Sequence, residues 1–189
     1  MTEAILLGIV VAVIIYGIVL YNRLVKARQL VREGWSGIDV QLKKRANLIP
    51  NLVAAVKGYM QHERGLLEKV TELRAKAAAL TDATPQERSA VEQEISSLLG
   101  RIFVAVENYP ELKANQNILE LQQQLAAIEH DIQMARRYYN GAVCDNNVLV
   151  ESFPSNLIAS LFRFSKADYF ELEDDAARRM PQVDLGPSA

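Results

Sequence analysis

From Ile5 to Tyr21 the chain reads ILLGIVVAVIIYGIVLY, seventeen residues without a charge, and beyond it the apolar positions thin out into periodic stripes. With Ala4 and the snorkelling residues at its ends, the run approaches the ~20 residues a helix needs to cross a hydrocarbon core. A cleavable signal peptide would open on a positive region and close on small residues. Here Glu3 precedes the run and Asn22, Arg23 and Leu24 follow it, so residues 1–22 read as a transmembrane anchor.

The stripes predict helices. Ile118, Leu121, Leu125, Ile128, Ile132, Ala135, Tyr139 and Ala142 alternate steps of three and four, a heptad seam that continues through Asn146 to Leu149 and Phe153. The spacing predicts one helix from about Glu111 to about Phe153, with Asn146 at a seam position of the kind that fixes register. Val91, Ile95, Leu98, Ile102, Ala105 and Tyr109 repeat the alternation. Thr84, Pro85 and Glu87 supply that helix with an N-cap hydroxyl, a proline at the first position and a carboxylate at the third, and Pro110 ends it.

Upstream, Leu48, Leu52, Ala55, Tyr59, His62, Leu66, Val70, Leu73, Ala77 and Leu80 form a third seam, with two successive steps of four around Leu66 of the sort that unwinds a coiled coil. Leu24, Ala27, Val31, Trp35, Ile38 and Leu42 mark the first helix after the anchor. Pro50 separates these two stripes. A hairpin there lets four stripes bury one another in an up-and-down bundle, whereas a kink would leave one long bent helix. No alternation of strand type is long enough to matter. The expected fold is all-α: an N-terminal transmembrane helix followed by an antiparallel four-helix bundle over residues 23–153.

After the last seam, Leu157, Ile158, Leu161, Phe162, Phe164, Tyr169 and Phe170 crowd into fourteen positions. So much apolar surface calls for a partner. The segment is a candidate membrane or subunit interface, and a fold-back onto its own bundle has equal standing. Residues 154–189 thus comprise an amphipathic segment and, from Glu171, Glu173, Asp174 and Asp175 onward, a polar tail.

Charge adds an orientation. The chain carries 21 basic and 23 acidic residues, net charge −2 and pI near 5.8, which gives no basic face for nucleic acid. Locally the balance differs: Arg23, Lys26, Arg28 and Arg32, followed by Lys43, Lys44 and Arg45, face only Glu33 and Asp39 before Leu48. Basic residues beside a transmembrane helix stay in the cytoplasm, so the short N-terminus is expected outside and the bundle inside.

Candidate chemistry is sparse. Neither histidine lies in Glu-x-x-His or His-Glu-x-x-His spacing, because Tyr59 and Ala127 stand three residues before His62 and His130. Two scattered histidines and one cysteine do not make a zinc site, and no glycine-rich loop leads into a helix to cradle phosphate. No catalytic residue, metal site or cofactor is expected. His62 reads as an interior or interface residue, Cys144 as a small buried or half-buried one, Tyr139 as core, and Arg136 and Arg137 as solvated.

The runs LIPNLV (Leu48 to Val53), ENYPELKANQN (Glu107 to Asn117), ARRYYNGAV (Ala135 to Val143) and ESFPSN (Glu151 to Asn156) mix seam residues with proline, asparagine and arginine in an order that periodicity does not dictate. In these runs, spread over most of the chain, the sequence resembles the LemA family. The stretch Cys144, Asp145, Asn146 and Asn147 departs from the more basic or aromatic run expected of relatives. The resemblance implies a short outer N-terminus, one transmembrane helix and a cytoplasmic helical bundle in a bacterial inner (cytoplasmic) membrane, and one relative is associated with magnetosome membranes. It supplies architecture more than mechanism.

The functional expectation is a membrane-anchored, non-enzymatic scaffold that contacts membrane lipid, forms a homo-oligomer through its helical seams and organises the membrane or membrane-protein partners. An adaptor or regulator of a membrane enzyme, such as a protease, is the first alternative. A small-ligand sensor is the second, and it would need a buried polar cluster, for which His62, Arg45 and Asn146 are the residues to inspect.

Overall fold

The computed structural model describes residues 1–80 and 83–170, and the polar tail from Glu171 lies outside them. Among the described residues the chain is helical and contains no strand. Helix α1 runs unbroken from Thr2 to Val56, 55 residues, or about 80 Å at 1.5 Å per residue. Its first third is the apolar run, exposed on nearly every side. The boundary between anchor and bundle at residue 22 therefore falls inside one continuous helix.

Pro50 does not make the expected hairpin. It lies within α1, and its missing N–H leaves the carbonyl of Ala46, four residues back, without the usual intrahelical donor. Arg74 of the next helix fills that vacancy, its Nε donating to the Ala46 carbonyl at 2.7 Å. The helix continues because a distant residue satisfies the group that proline orphans. The chain instead reverses over Lys57–Glu63, with Met60 fully buried at the bend and a single 3-10 turn at Gln61–Glu63. This is where the third seam slips. Tyr59 and His62, read as seam residues, lie in the reversal and are exposed.

Helix α2 (Arg64–Ala79) returns along α1, and α3 (Pro85–Val106) pairs with it. The start of α3 is the predicted capping box: the Thr84 hydroxyl accepts from the Glu87 N–H at 3.3 Å, and the Glu87 carboxylate accepts from the Thr84 N–H at 2.9 Å. The helix expected from Glu111 divides in two. Pro110–Lys113 forms a single turn, α4, and the Asn115 side chain then caps α5 (Gln116–Glu151) by accepting from the Asn117 N–H at 2.9 Å. A short helix α6 (Ser155–Leu161) follows.

α1, α2, α3 and α5 make an antiparallel four-helix bundle at the end far from the apolar run. Its core holds Ile49, Leu52 and Val56 of α1, Val70 and Leu73 of α2, Ile95 and Ile102 of α3, and Ile118 and Leu125 of α5. Nearer the apolar run only α1 and α5 remain, packing Ile38 and Leu42 against Ile132, Tyr139 and Val143. The α5 seam is buried or half-buried from Ile118 to Leu149, but Phe153 at its end is 79% exposed.

The missing third layer of this two-helix stalk comes from the chain after α6. Helix α6 ends with Arg163 in the left-handed region (φ 57°). The Phe164 N–H donates to the Ala159 carbonyl at 2.9 Å and the Arg163 N–H to that of Ser160 at 3.3 Å, the double closure that turns a chain sharply off a helix end. Residues 163–170 then run back along the stalk as an extended strap.

Candidate functional site

At the junction of stalk and bundle, Arg45 is 1% exposed. Its helical neighbours at three- and four-residue steps, Ile38, Leu42, Ile49 and Leu52, form the inward stripe of α1, so its position forces the guanidinium inside. There it meets a complete set of acceptors. It donates to the Glu92 carboxylate at 2.6 Å, to the Glu92 backbone carbonyl at 3.0 Å, to Ser96 Oγ, and to the Glu129 carboxylate of α5. Arg88 donates to the other oxygen of Glu92 at 2.9 Å and to the Leu80 carbonyl at 2.9 Å, and lies 3.8 Å from Asp39.

The centre thus joins α1, α3 and α5 and balances its own charge. A buried charge needs such partners. The space beside it is about 120 Å³, below the ~300–1,000 Å³ of ordinary ligand pockets. A wider open groove of about 760 Å³ lies at the far tip, between Val53, Met60 and Leu67 with Lys57 and Arg64 on its rim.

The strap is held by a different device. Asn147 donates to the Ala167 carbonyl and accepts from the Ala167 N–H, both at 2.9 Å, and Asn140 treats Phe170 likewise at 3.2 and 2.9 Å. Each carboxamide therefore satisfies one residue's backbone pair as a neighbouring strand would. The registers agree: seven helical residues span about 10.5 Å, and three extended ones about 10 Å. The Tyr139 hydroxyl donates to the Asp168 carbonyl at 2.7 Å, and Asn146 to that of Ser165 at 3.3 Å. Burial first, then the charge of Asp168, pushes the Tyr139 phenol up to about 12.

Asn146, read as a register residue between helices, is thus a strap ligand. Phe170 is 2% exposed against Trp35, ring centroids 5.9 Å apart, and Phe164 is 8% exposed under the Arg28 guanidinium, 4.8 Å from its ring centre. Both residues, with half-buried Tyr169, pack inside the chain. Arg136, read as solvated, is half-buried over the Phe170 ring with its Nε unpartnered. Burial lowers its pKa, and Glu129 acts in the opposite direction. Cys144, read as buried or half-buried, is exposed.

The other interface candidates point outward. Leu157 is 60% exposed, Leu161 72% and Phe162 53%, while Ile158 is half-buried against α1. Arg23, Lys26, Arg28 and Arg32 are all exposed just beyond the apolar run. The sequence pattern assigns no role to Asn140, Asn147 or Glu129. The heptad separation of Asn140 and Asn147 on one face of α5 is the signal that could have found the strap.

The sequence profile of the LemA family matches residues 34–185. The chain is 24% identical to Protein LemA of Metamycoplasma hominis over 167 residues, covering 88% of this chain and 74% of that protein. It is also 24% identical to Magnetosome protein MamQ 2 of Paramagnetospirillum magneticum (86% of this chain, 68% of that one) and 22% identical to Magnetosome protein MamQ of Magnetospirillum gryphiswaldense (79% and 64%).

Proposed function

Because the chain belongs to the LemA family, and with its relatives reads as a membrane-associated helical protein, we propose that it is a non-enzymatic scaffold. The apolar run anchors it, the exposed Arg23, Lys26, Arg28 and Arg32 keep the bundle on the cytoplasmic side of the inner membrane, and the stalk associates with copies of itself to organise the membrane or proteins bound to it.

The observation that carries self-association is a second stripe on α5. Its inner seam is spent on α1 and the strap. On the outer face Met134, Gly141 and Val148 recur every seventh residue, with Asp145 the one charged residue of the stripe, and Met134 and Val148 are 49% and 54% exposed, while Tyr138 stands at its edge, 50% exposed with one side of its ring against α1 beside Gly34. Anchors in one membrane would bring such stripes together in parallel at high effective concentration. The self-neutralised centre around Arg45 supports a structural role over a catalytic or ligand-sensing one.

Light scattering of the full-length protein in a mild detergent, with the detergent mass subtracted, tests this reading. A discrete oligomer that falls to a monomer in the Met134→Glu/Val148→Glu variant is the expected result. A monomeric parent would refute scaffolding by self-association. The adaptor reading would then take its place, with the open groove beside Met60 and Leu67 as the surface to offer a membrane enzyme.

A further inference from the structure

Helix α6 packs against the part of α1 that lies within the apolar run. A β-carbon on Gly17 would meet Ile158 Cδ1 at 3.8 Å, and the ring of Tyr21 stands 4.8 Å from that of Phe162. Gly17 is four residues inside the end of the run, about 6 Å along the helix. Whatever surrounds Gly17 must therefore also surround Ile158.

The face of α6 that looks away from α1 suits such a medium. Leu157 and Leu161, four residues apart on α6, are 60% and 72% exposed and Phe153, in the turn before it, 79%, while Ser155 and Ala159 turn to the protein side and are buried. The apolar run Ile5–Tyr21 supplies about 26 Å of length, against ~30 Å of hydrocarbon. The apolar band is thus widened at its bundle end by a second element. Arg23, Lys26 and Arg163 sit exposed just above it, and Lys166 is paired with Glu151 at 2.8 Å.

We propose that α6 is a half-inserted wedge: Phe153, Leu157, Leu161 and Phe162 sit among the upper acyl chains of the leaflet on the bundle side, with the basic residues at the level of anionic phospholipid headgroups. The inference rests on α1 spanning the membrane. It adds a second lipid contact that fixes the tilt of the stalk, because α6 is tied to α5 by a short turn and to both helices by the strap. The bundle then stands at one angle to the bilayer instead of swivelling about a single helix.

The test uses full-length protein in phosphatidylglycerol/phosphatidylcholine vesicles, in a Cys144→Ser background, with a bimane label on one introduced cysteine at a time. Labels at Leu157→Cys and Leu161→Cys should emit blue-shifted light, be quenched by a nitroxide high on the acyl chain, and show a several-fold lower iodide quenching constant than a label at Val104→Cys on the distal bundle. Iodide quenching at Leu161 equal to that at Val104 would overturn the wedge. So would shielding from iodide without nitroxide quenching, which would place a neighbouring subunit there. A label at Val10→Cys separates the two premises. Quenching there by a nitroxide at the acyl chain end keeps the anchor even if the wedge fails, and iodide access there would defeat the anchor itself.

Discussion

A β-carbon placed on Gly34 would stand 2.9 Å from the Cα of Tyr139 and 3.3 Å from its Cβ. Helices α1 and α5 touch backbone to backbone at this point, and the contact fixes the separation at which the Tyr139 hydroxyl reaches the strap. Backbone on both sides leaves little to yield, so Gly34→Ala should lose about 1–3 kcal/mol through overpacking, reduced by the better helix propensity of alanine. Gly37, one turn further on, has nothing within 4 Å, and Gly37→Ala should gain up to about 1 kcal/mol. Thermal unfolding followed by circular dichroism in detergent checks both; equal shifts of one sign would refute the close approach.

The Arg74 bond to the Ala46 carbonyl makes a prediction about coupling. Arg74→Met removes the replacement donor and should cost about 1–2 kcal/mol, a fall of roughly 2–4 °C in Tm per kcal/mol for a chain of this size. In a Pro50→Ala background the helix supplies its own N–H to Ala46, and the same substitution should cost clearly less. A double-mutant cycle measures the difference. Additive effects would mean that Arg74 does not compensate for the proline.

These two sites show where local reading succeeds and stops. The apolar run, the α5 seam and the Thr84–Glu87 box depend on residues a few positions apart, and each was legible. Pro50 was not, because whether proline breaks a helix depends on whether some other segment can satisfy the freed carbonyl, and that donor lies 28 residues away. Asn146 looked the same whether its partner was a helix or a strap. The apolar crowd after Phe153 was legible as needing partners, but Phe164 and Phe170 turned inward and Leu157 and Leu161 outward according to the left-handed Arg163 between them. Arg45 carried two readings: its place in Lys43–Lys44–Arg45 suggested a solvated basic stretch, whereas its spacing from Ile38, Leu42 and Ile49 agrees with the buried polar cluster for which it was also named, and the second holds.

That burial makes Arg45 costly to lose alone, and less costly when Glu92 is replaced with it. Arg45→Met leaves the Glu92 carboxylate, whose side chain is 7% exposed, with Arg88 as its remaining cation, and should lose up to about 3–5 kcal/mol. Replacing both, Arg45→Met/Glu92→Met, removes that carboxylate and should recover part of the loss even though no hydrogen bond is restored; recovery is partial because Arg88, 12% exposed, keeps only Asp39 at 3.8 Å as a carboxylate partner. Denaturant unfolding of both variants decides the matter. A double variant as unstable as the single would show that the centre stabilises the fold by attraction and not by avoiding an unpaired charge.

The raised phenol of Tyr139 links the strap to pH in the alkaline range. The unfolded chain titrates near 10 and the folded one at about 12, so above pH 10 the folded state holds a proton that the unfolded state has released. Its contribution is therefore complete below pH 10 and is lost as pH rises toward 12, at up to about 1.4 kcal/mol per pH unit. The hydroxyl also donates to the Asp168 carbonyl at 2.7 Å, so ionisation breaks the bond that pins the middle of the strap. Tyr139→Phe should be slightly less stable at pH 8, yet lose less on going to pH 11.5 than the parent, with Trp35 fluorescence reporting release of Phe170 from its ring. Parallel pH profiles for the two proteins would show that the tyrosine ionises as freely in the folded stalk as in water.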